Sequence, residues 1–181
     1  MVPFLRILEK INIMKKTFIL SLGILFSVCM FGRVSVEGSF DVLDDTKQTS
    51  LGVLFDYSQA KVDDVSISLY AKRQGKDWKS FSTTLESRFI QGVNEEEDQC
   101  LMVPYSSDNF TYYVQVSFFT IDEDGECTIA IRLLDKNNAD IILALIELGA
   151  DSQRGDWDEA MEDTFKDLGE EFGKFLDKKV F

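Results

Sequence analysis

The sequence predicts an α+β fold, with a mostly antiparallel sheet of four to five strands and two main helices packed on one face. Three observations predict it. Three alternating segments between Thr111 and Leu148 are separated by turn-forming residues. Two apolar stripes, one from Trp78 to Val93 and one from Trp157 to Val180, recur at steps of three and four. Apolar residues make up 45% of the chain, with 15 Phe, a composition that suits a globular core and argues against disorder.

Taken in order, Val34 to Val42 alternates weakly and ends in Asp44-Asp45-Thr46, which reads as a short strand and turn. Leu51 to Tyr57 is a compact apolar run bounded by polar residues, as expected of a strand buried on both faces. Ser66 to Arg73 fits two readings. Val65, Ile67 and Leu69 alternate like a strand, while Ser66 is placed to cap a short helix ending at Gly75. Trp78, Phe81, Leu85, Phe89 and Val93 share one helical face, and Gly92 with Glu95-Glu96-Glu97-Asp98 closes that helix. Asn94 to Asn109 is polar and loop-like, with Pro104 inside it.

Thr111 to Ile121 then places Val114, Val116 and Phe118 on one face of a strand. Asp122-Glu123-Asp124-Gly125 supplies a hairpin turn, and Glu126 to Asp135 returns with Ile129, Ile131 and Leu133 alternating. Lys136-Asn137-Asn138 turns the chain again into a third strand, Ala139 to Leu148. The closing helix carries Trp157, Met161, Phe165, Leu168, Phe172 and Leu176 as its stripe. Acids at its start and Lys178-Lys179 at its end suit the helix dipole. Glu162–Lys166 and Glu170–Lys174 are i,i+4 pairs in the favoured orientation. Gly169 and Gly173 each cost about 1 kcal/mol in a helix interior relative to Ala, so close packing against the sheet or another helix is expected to offset them.

This domain spans residues 33–181. Residues 1–32 read as a signal segment whose better start is Met14, since Lys15-Lys16 precede an uncharged run from Thr17 to Phe31. A charged stretch followed by an apolar one too short for a stable span has the shape of a secretory signal. The protein is therefore expected to be exported. Ser27-Val28-Cys29 offers small residues for cleavage after Cys29. The alternative makes Cys29 the lipidated first residue of a lipoprotein, held at a membrane face.

Charge and composition exclude several functions. Removing residues 1–32 takes away four basic residues and one acidic one, so the net charge moves from −13 to −16. Such a surface repels phosphate backbones and anionic headgroups, which excludes nucleic acid as a partner and limits membrane contact to the signal segment or a lipid on Cys29. The chain contains 0 His, which removes Ser-His-Asp and Cys-His mechanisms and the common catalytic zinc sites. Paired carboxylates of the glycosidase kind need no His and stay open. No cofactor is expected.

An oxidising compartment permits a bridge between Cys100 and Cys127. The strand between them covers roughly 30 Å at ~3.3 Å per residue, so a bridge requires the Leu101–Asn109 segment to run back alongside. Two separate buried thiols are the alternative.

The order of a Leu51–Tyr57 strand, a Trp78–Val93 helix, a three-stranded meander and a closing helix resembles a family of small secreted α/β proteins of unknown function from Gram-negative gut bacteria. The segments that carry the likeness are Leu54-Phe55-Asp56-Tyr57-Ser58 and the glycine-containing helix from Leu168 to Lys179. More remotely, the chain is similar to the accessory-lipoprotein architecture of the TolB amino-terminal domain and curli-secretion-type proteins. The resemblance implies a mixed sheet with helices against it and a place in the Gram-negative periplasm or outer envelope. It transfers no catalytic site.

Four residues are candidates for binding. Asp56 and Tyr57 follow a buried strand, where open α/β sheets place ligand crevices. Asp56 would serve as base or cation ligand and Tyr57 as a stacking ring, or Asp56 would simply cap local amides. Tyr113 and Phe119 would be partly exposed if only one face of their strand meets the helices, unless the Val34–Val42 segment covers them. Asp122, Asp124 and Glu126 bunch three carboxylates as a calcium ion prefers, but the distal Glu of a full binding loop is missing, and a solvated hairpin tip is the simpler reading. The function expected is a non-enzymatic envelope protein that binds a protein partner or assists assembly. A carboxylate-dependent periplasmic hydrolase or glycan-binding module is the alternative.

Overall fold

A computed structural model describes residues 35–107, 109–151, 153 and 155–181; the expected signal segment and Cys29 lie outside them. Within Val34–Phe181, which forms one compact unit, the chain begins with β1 (Ser35–Gly38) and a one-turn helix α1 (Val42–Asp45). Next come β2 (Ser50–Asp56), the short pair β3 (Lys61–Val62) and β4 (Val65–Ser66), and α2 (Ile67–Arg73). The long helix α3 (Trp78–Glu96) leads to β5 (Leu101–Pro104). The meander β6 (Tyr112–Ile121), β7 (Cys127–Asp135) and β8 (Asn138–Ala150) precedes α4 (Trp157–Lys179).

The meander and both long helices form where their periodicities place them. The sheet departs from expectation. It has six strands, in the order β1-β8-β7-β6-β2-β5, and it is mixed. β2 pairs parallel with both β5 and β6, while β1, β8, β7 and β6 are antiparallel neighbours. For β2 and β5 this follows from connectivity, because a strand that returns through a helical crossover arrives in the same direction. The connection from β5 to β6 then carries the chain to the other side of β2. β5 lies inside the stretch expected to be loop. Four residues on the sheet edge give little periodic signal, and Pro104 fits there because an edge strand can spare an amide donor. The Asn94 side chain closes this edge from α3: its amide donates to the Met102 carbonyl (3.0 Å) and accepts from the Met102 N–H (2.7 Å).

Of the two readings of Ser66–Arg73, the helix forms. Ser66 occupies the cap position without a side-chain capping bond. Asp77 caps α3 properly, accepting from the Ser80 N–H at 3.0 Å.

Gly92 does not end α3. It sits inside the helix, in a seam with α4, where a Cβ would stand 2.3 Å from the Lys166 carbonyl oxygen. Gly169 faces it from α4, with a built Cβ 2.2 Å from the Phe89 carbonyl oxygen. The expected close packing is therefore helix on helix. Arg88–Glu162 (3.0 Å) and Lys166–Glu95 (2.8 Å) bridge the seam, so Glu162 turns to α3 and away from its expected Lys166 partner. Glu170 does pair with Lys174, at 3.8 Å.

One face of the sheet carries the core. Val114, Val116, Phe118, Ile129, Ile131, Leu133 and Ile146 pack against Phe89, Phe165, Leu168 and Phe172 of the two long helices. Phe118 stacks on Phe165 with ring centroids 4.7 Å apart.

Candidate functional site

Asp56 ends β2, where a carboxylate can take up the amides of the turn that follows. Its Oδ1 accepts from the Ser58 N–H at 2.9 Å, and its Oδ2 accepts from Gln115 Nε2 at 3.3 Å. The Ser58 hydrogen bonds, with help from the Arg132 charge, hold its pKa below the ordinary carboxylate value. Its partners are thus amides and a cation. The second carboxylate that paired-acid hydrolysis needs is not among them.

Tyr57 stacks, but on the protein itself. Its ring lies 5.3 Å from Phe118 and 5.1 Å from Trp78 by centroid. The hydroxyl is buried without a well-formed hydrogen bond, although the half-buried Glu86 carboxylate lies near enough to act on it. Burial first, and Glu86 second, push the Tyr57 pKa well above its usual value. Burial likewise raises Glu86. The half-buried ring thus packs against the core, and the stacking partners the structure gives it are Phe118 and Trp78.

Tyr113 is buried on the face opposite the helices, in a small cluster with Phe110, Leu134 and Val103. The cover expected from the Val34–Val42 segment comes instead from the β5–β6 connection, which brings Phe110 over Gly52 and sets Tyr105 against Tyr113 (4.9 Å, edge-on). β1 lies in the sheet, beside β8. Phe119 is half-buried at the β-bulge between Phe118 and Thr120.

The hairpin acids form a turn. Asp122 Oδ1 accepts from the N–H groups of Asp124 (3.0 Å) and Glu126 (2.9 Å), and Gly125 at φ +85° makes the reversal against Thr164. Among the described residues no three acidic, His or Cys side chains group to hold a metal ion.

Cys100 and Cys127 are separate buried thiols. Because β5 runs parallel to β2, and β2 to β6, Cys100 lies level with the start of β6 while Cys127 pairs with Ile121 at its end. The two stand roughly 30 Å apart along the strands, far beyond the ~7 Å Cα separation a disulfide tolerates. Burial raises both thiols to about 12.

The face that holds Asp56 and Tyr113 carries the clearest site geometry. Strand register aligns Leu54, Gln115, Arg132, Leu145 and Glu37 in one row, and Asp56, Ser117, Ala130, Glu147 and Ser35 in the next. Arg132, half-buried at the centre, donates to Ser117 Oγ at 3.4 Å. Among the described residues no helix packs on this face, because the large buried side chains of the helices belong to the core on the other side. Sequence reasoning missed Arg132 and Gln115. Their signal was present as polar residues alternating with Val114, Val116, Ile131 and Leu133, but only the register shows that they are neighbours.

A groove of about 640 Å³ lies elsewhere, between β1, the Ser39–Asp41 turn and the last turns of α4. Val36, Phe40, Phe175 and Val180 supply its apolar lining, and Lys174, Lys178 and Lys179 its cations. Asp41 and Glu171 also line it. Among the described residues no helix is long and apolar enough to cross a membrane.

No protein-family model matches the chain, and no curated protein matches it. Solved structures show weak likeness. A PelC dodecamer from Paraburkholderia phytofirmans aligns at TM-score 0.42 and 10% identity, over 77% of this chain and 96% of that one. A point variant of PelC, also a dodecamer, aligns at 0.43 and 9% identity, over 77% and 95%. A DUF330 protein from Xanthomonas campestris aligns at 0.40 and 12% identity, over 71% and 85%. Likeness at this level assigns no function to the chain.

Proposed function

We propose that the chain is an exported, non-enzymatic cell-envelope protein that binds a protein partner through the open face of its sheet. The observation that carries this reading is the register-aligned surface of Leu54, Gln115, Arg132 and Leu145, with Asp56 and Glu147 beside it, on a sheet whose helices, among the described residues, pack on the opposite side. Half-exposed aliphatic side chains set among a few oriented polar groups are the make-up of a protein-binding surface. Acids outnumber the single Arg132 in the two rows, so the partner presents an apolar patch rimmed by Lys or Arg. The secretory-type start of the sequence supports export, and the absence of His together with the engaged state of Asp56 supports a non-enzymatic role.

The test is site-specific photo-crosslinking in envelope preparations. A crosslinker at Leu54, which is 38% exposed, is expected to capture one protein, with a yield that falls as salt rises. The same probe at Thr83, on the exposed side of α3, is expected to capture none. Glu147→Lys should abolish the Leu54 adduct. Equal capture from both positions, or a Leu54 adduct indifferent to salt and to Glu147→Lys, would overturn the proposal.

A further inference from the structure

The groove beside β1 combines an apolar floor with unneutralised cations in a chain of net charge −13. Lys174 is engaged within α4, with Glu171 at 3.1 Å and Glu170 at 3.8 Å. Lys178 and Lys179 are exposed and make no ion pair among the described residues. With Lys174 and Glu171 offsetting each other, the groove keeps two cations against the single carboxylate of Asp41. Below them Phe40 and Phe175 meet edge-on at 5.2 Å, and Val36, 43% exposed on the edge strand β1, extends the apolar wall. Phe40 in turn rests on Phe172, which ties the floor to the main core and holds it in place without a ligand.

We propose that this groove binds a single-chain anionic amphiphile, such as a fatty acid or lysophospholipid. Its acyl chain lies on Phe175, Val36 and Val180, with the buried Phe40 supporting Phe175 from below, and its carboxylate or phosphate meets Lys178 and Lys179. The volume falls in the ~300–1,000 Å³ range of small-molecule sites, which are mostly apolar with a few placed polar groups. The two lysines complement the negative end of the α4 dipole, and a bound anion adds a closer partner for them. The chain's overall negative charge does not prevent this, because charges beyond ~8–10 Å are largely screened at physiological salt while the lysines act at contact distance. The site is independent of the open sheet face.

Titrating the purified full chain with cis-parinaric acid, a fluorescent fatty acid, tests it. Saturable one-to-one binding is expected. Oleate should displace the probe, oleyl alcohol should do so about tenfold less well or worse, and inorganic phosphate should not displace it. Lys178→Gln with Lys179→Gln is expected to weaken binding about tenfold or more without changing the melting temperature appreciably. Val36→Glu, at an exposed strand position, should weaken it by placing a carboxylate in the groove. Absence of saturable binding, equal displacement by oleyl alcohol, or unchanged affinity in both folded variants would each overturn the proposal.

Discussion

The two faces of the six-stranded sheet differ in what their side chains are for. The helix side is closed by large residues in contact, with Phe89, Phe118, Phe165 and Phe172 fully buried. Among the described residues, the opposite side has the small Phe110–Tyr113–Leu134 cluster at one end and a mixed polar and aliphatic surface over the rest. In that surface Ser117 and Ala130 are buried, and Leu54, Gln115, Arg132 and Leu145 are at least partly exposed. Strands that alternate so cleanly must present both faces, but only one contributes most of the core. The other is free to carry residues that cost little stability and so can serve recognition.

Substitutions in the two faces should separate by stability. Phe165→Ala removes a ring stacked on Phe118 and is expected to cost about 3–5 kcal/mol in urea unfolding. Leu145→Ala, half-buried on the open face, should cost under about 1.5 kcal/mol. Comparable losses would break the comparison. Gly169→Ala sharpens it within the closed face. Helix propensity alone would stabilise this variant by about 1 kcal/mol, whereas a Cβ 2.2 Å from the Phe89 carbonyl should instead destabilise it by about 1–3 kcal/mol. A stabilised variant would mean that the α3–α4 seam is looser than described.

Alkaline pH probes the same side. Both thiols titrate near 9 when unfolded and near 12 when folded, so the folded state holds its protons longer. Between those values the unfolded chain binds fewer protons, and stability must fall as pH rises. Below 9 the thiols contribute no pH dependence. Urea midpoints measured across this window should decline more steeply in the parent than in a Cys100→Ala, Cys127→Ala variant. Matching slopes would mean that the thiols are not buried as described. The smallest effect has the opposite sign. Tyr57→Phe deletes a buried hydroxyl that lacks a good partner, and should leave stability unchanged or raise it by up to about 1 kcal/mol.

Much of this architecture was legible in the residues. The meander was readable because its strands are long, alternate strictly and are separated by Asp-Gly and Asn-Asn turns. α3 and α4 were readable for the matching reason at period 3.6, and Gly169 announced its close contact without saying with what. β5 was not, since four residues cannot establish a period, whereas β1 lies within the weakly alternating Val34–Val42 run that reads as a short strand. Gly92 misled as a helix stop because local propensity disfavours glycine, while its packing against Lys166 requires it. Tyr57 and Tyr113 stand out in the sequence as aromatic binding residues, but Tyr113 is buried and Tyr57 half-buried, and rings distant in sequence are what cover them. The groove lysines were visible only as dipole complements, because Val36 and Phe40 reach them across more than a hundred residues of chain.

The sequence by itself determined the acidic charge, the lack of histidine chemistry, the antiparallel meander and the two amphipathic helices. These depend on composition and on periods of two and 3.6, which are local. Only the tertiary structure decided that β2 and β5 run parallel to β6, that Cys100 and Cys127 lie at opposite ends of the sheet, and that Leu54, Gln115, Arg132 and Leu145 form one row. Those outcomes depend on which strands meet and in what register. That is fixed by the joint burial of distant side chains and leaves no local trace.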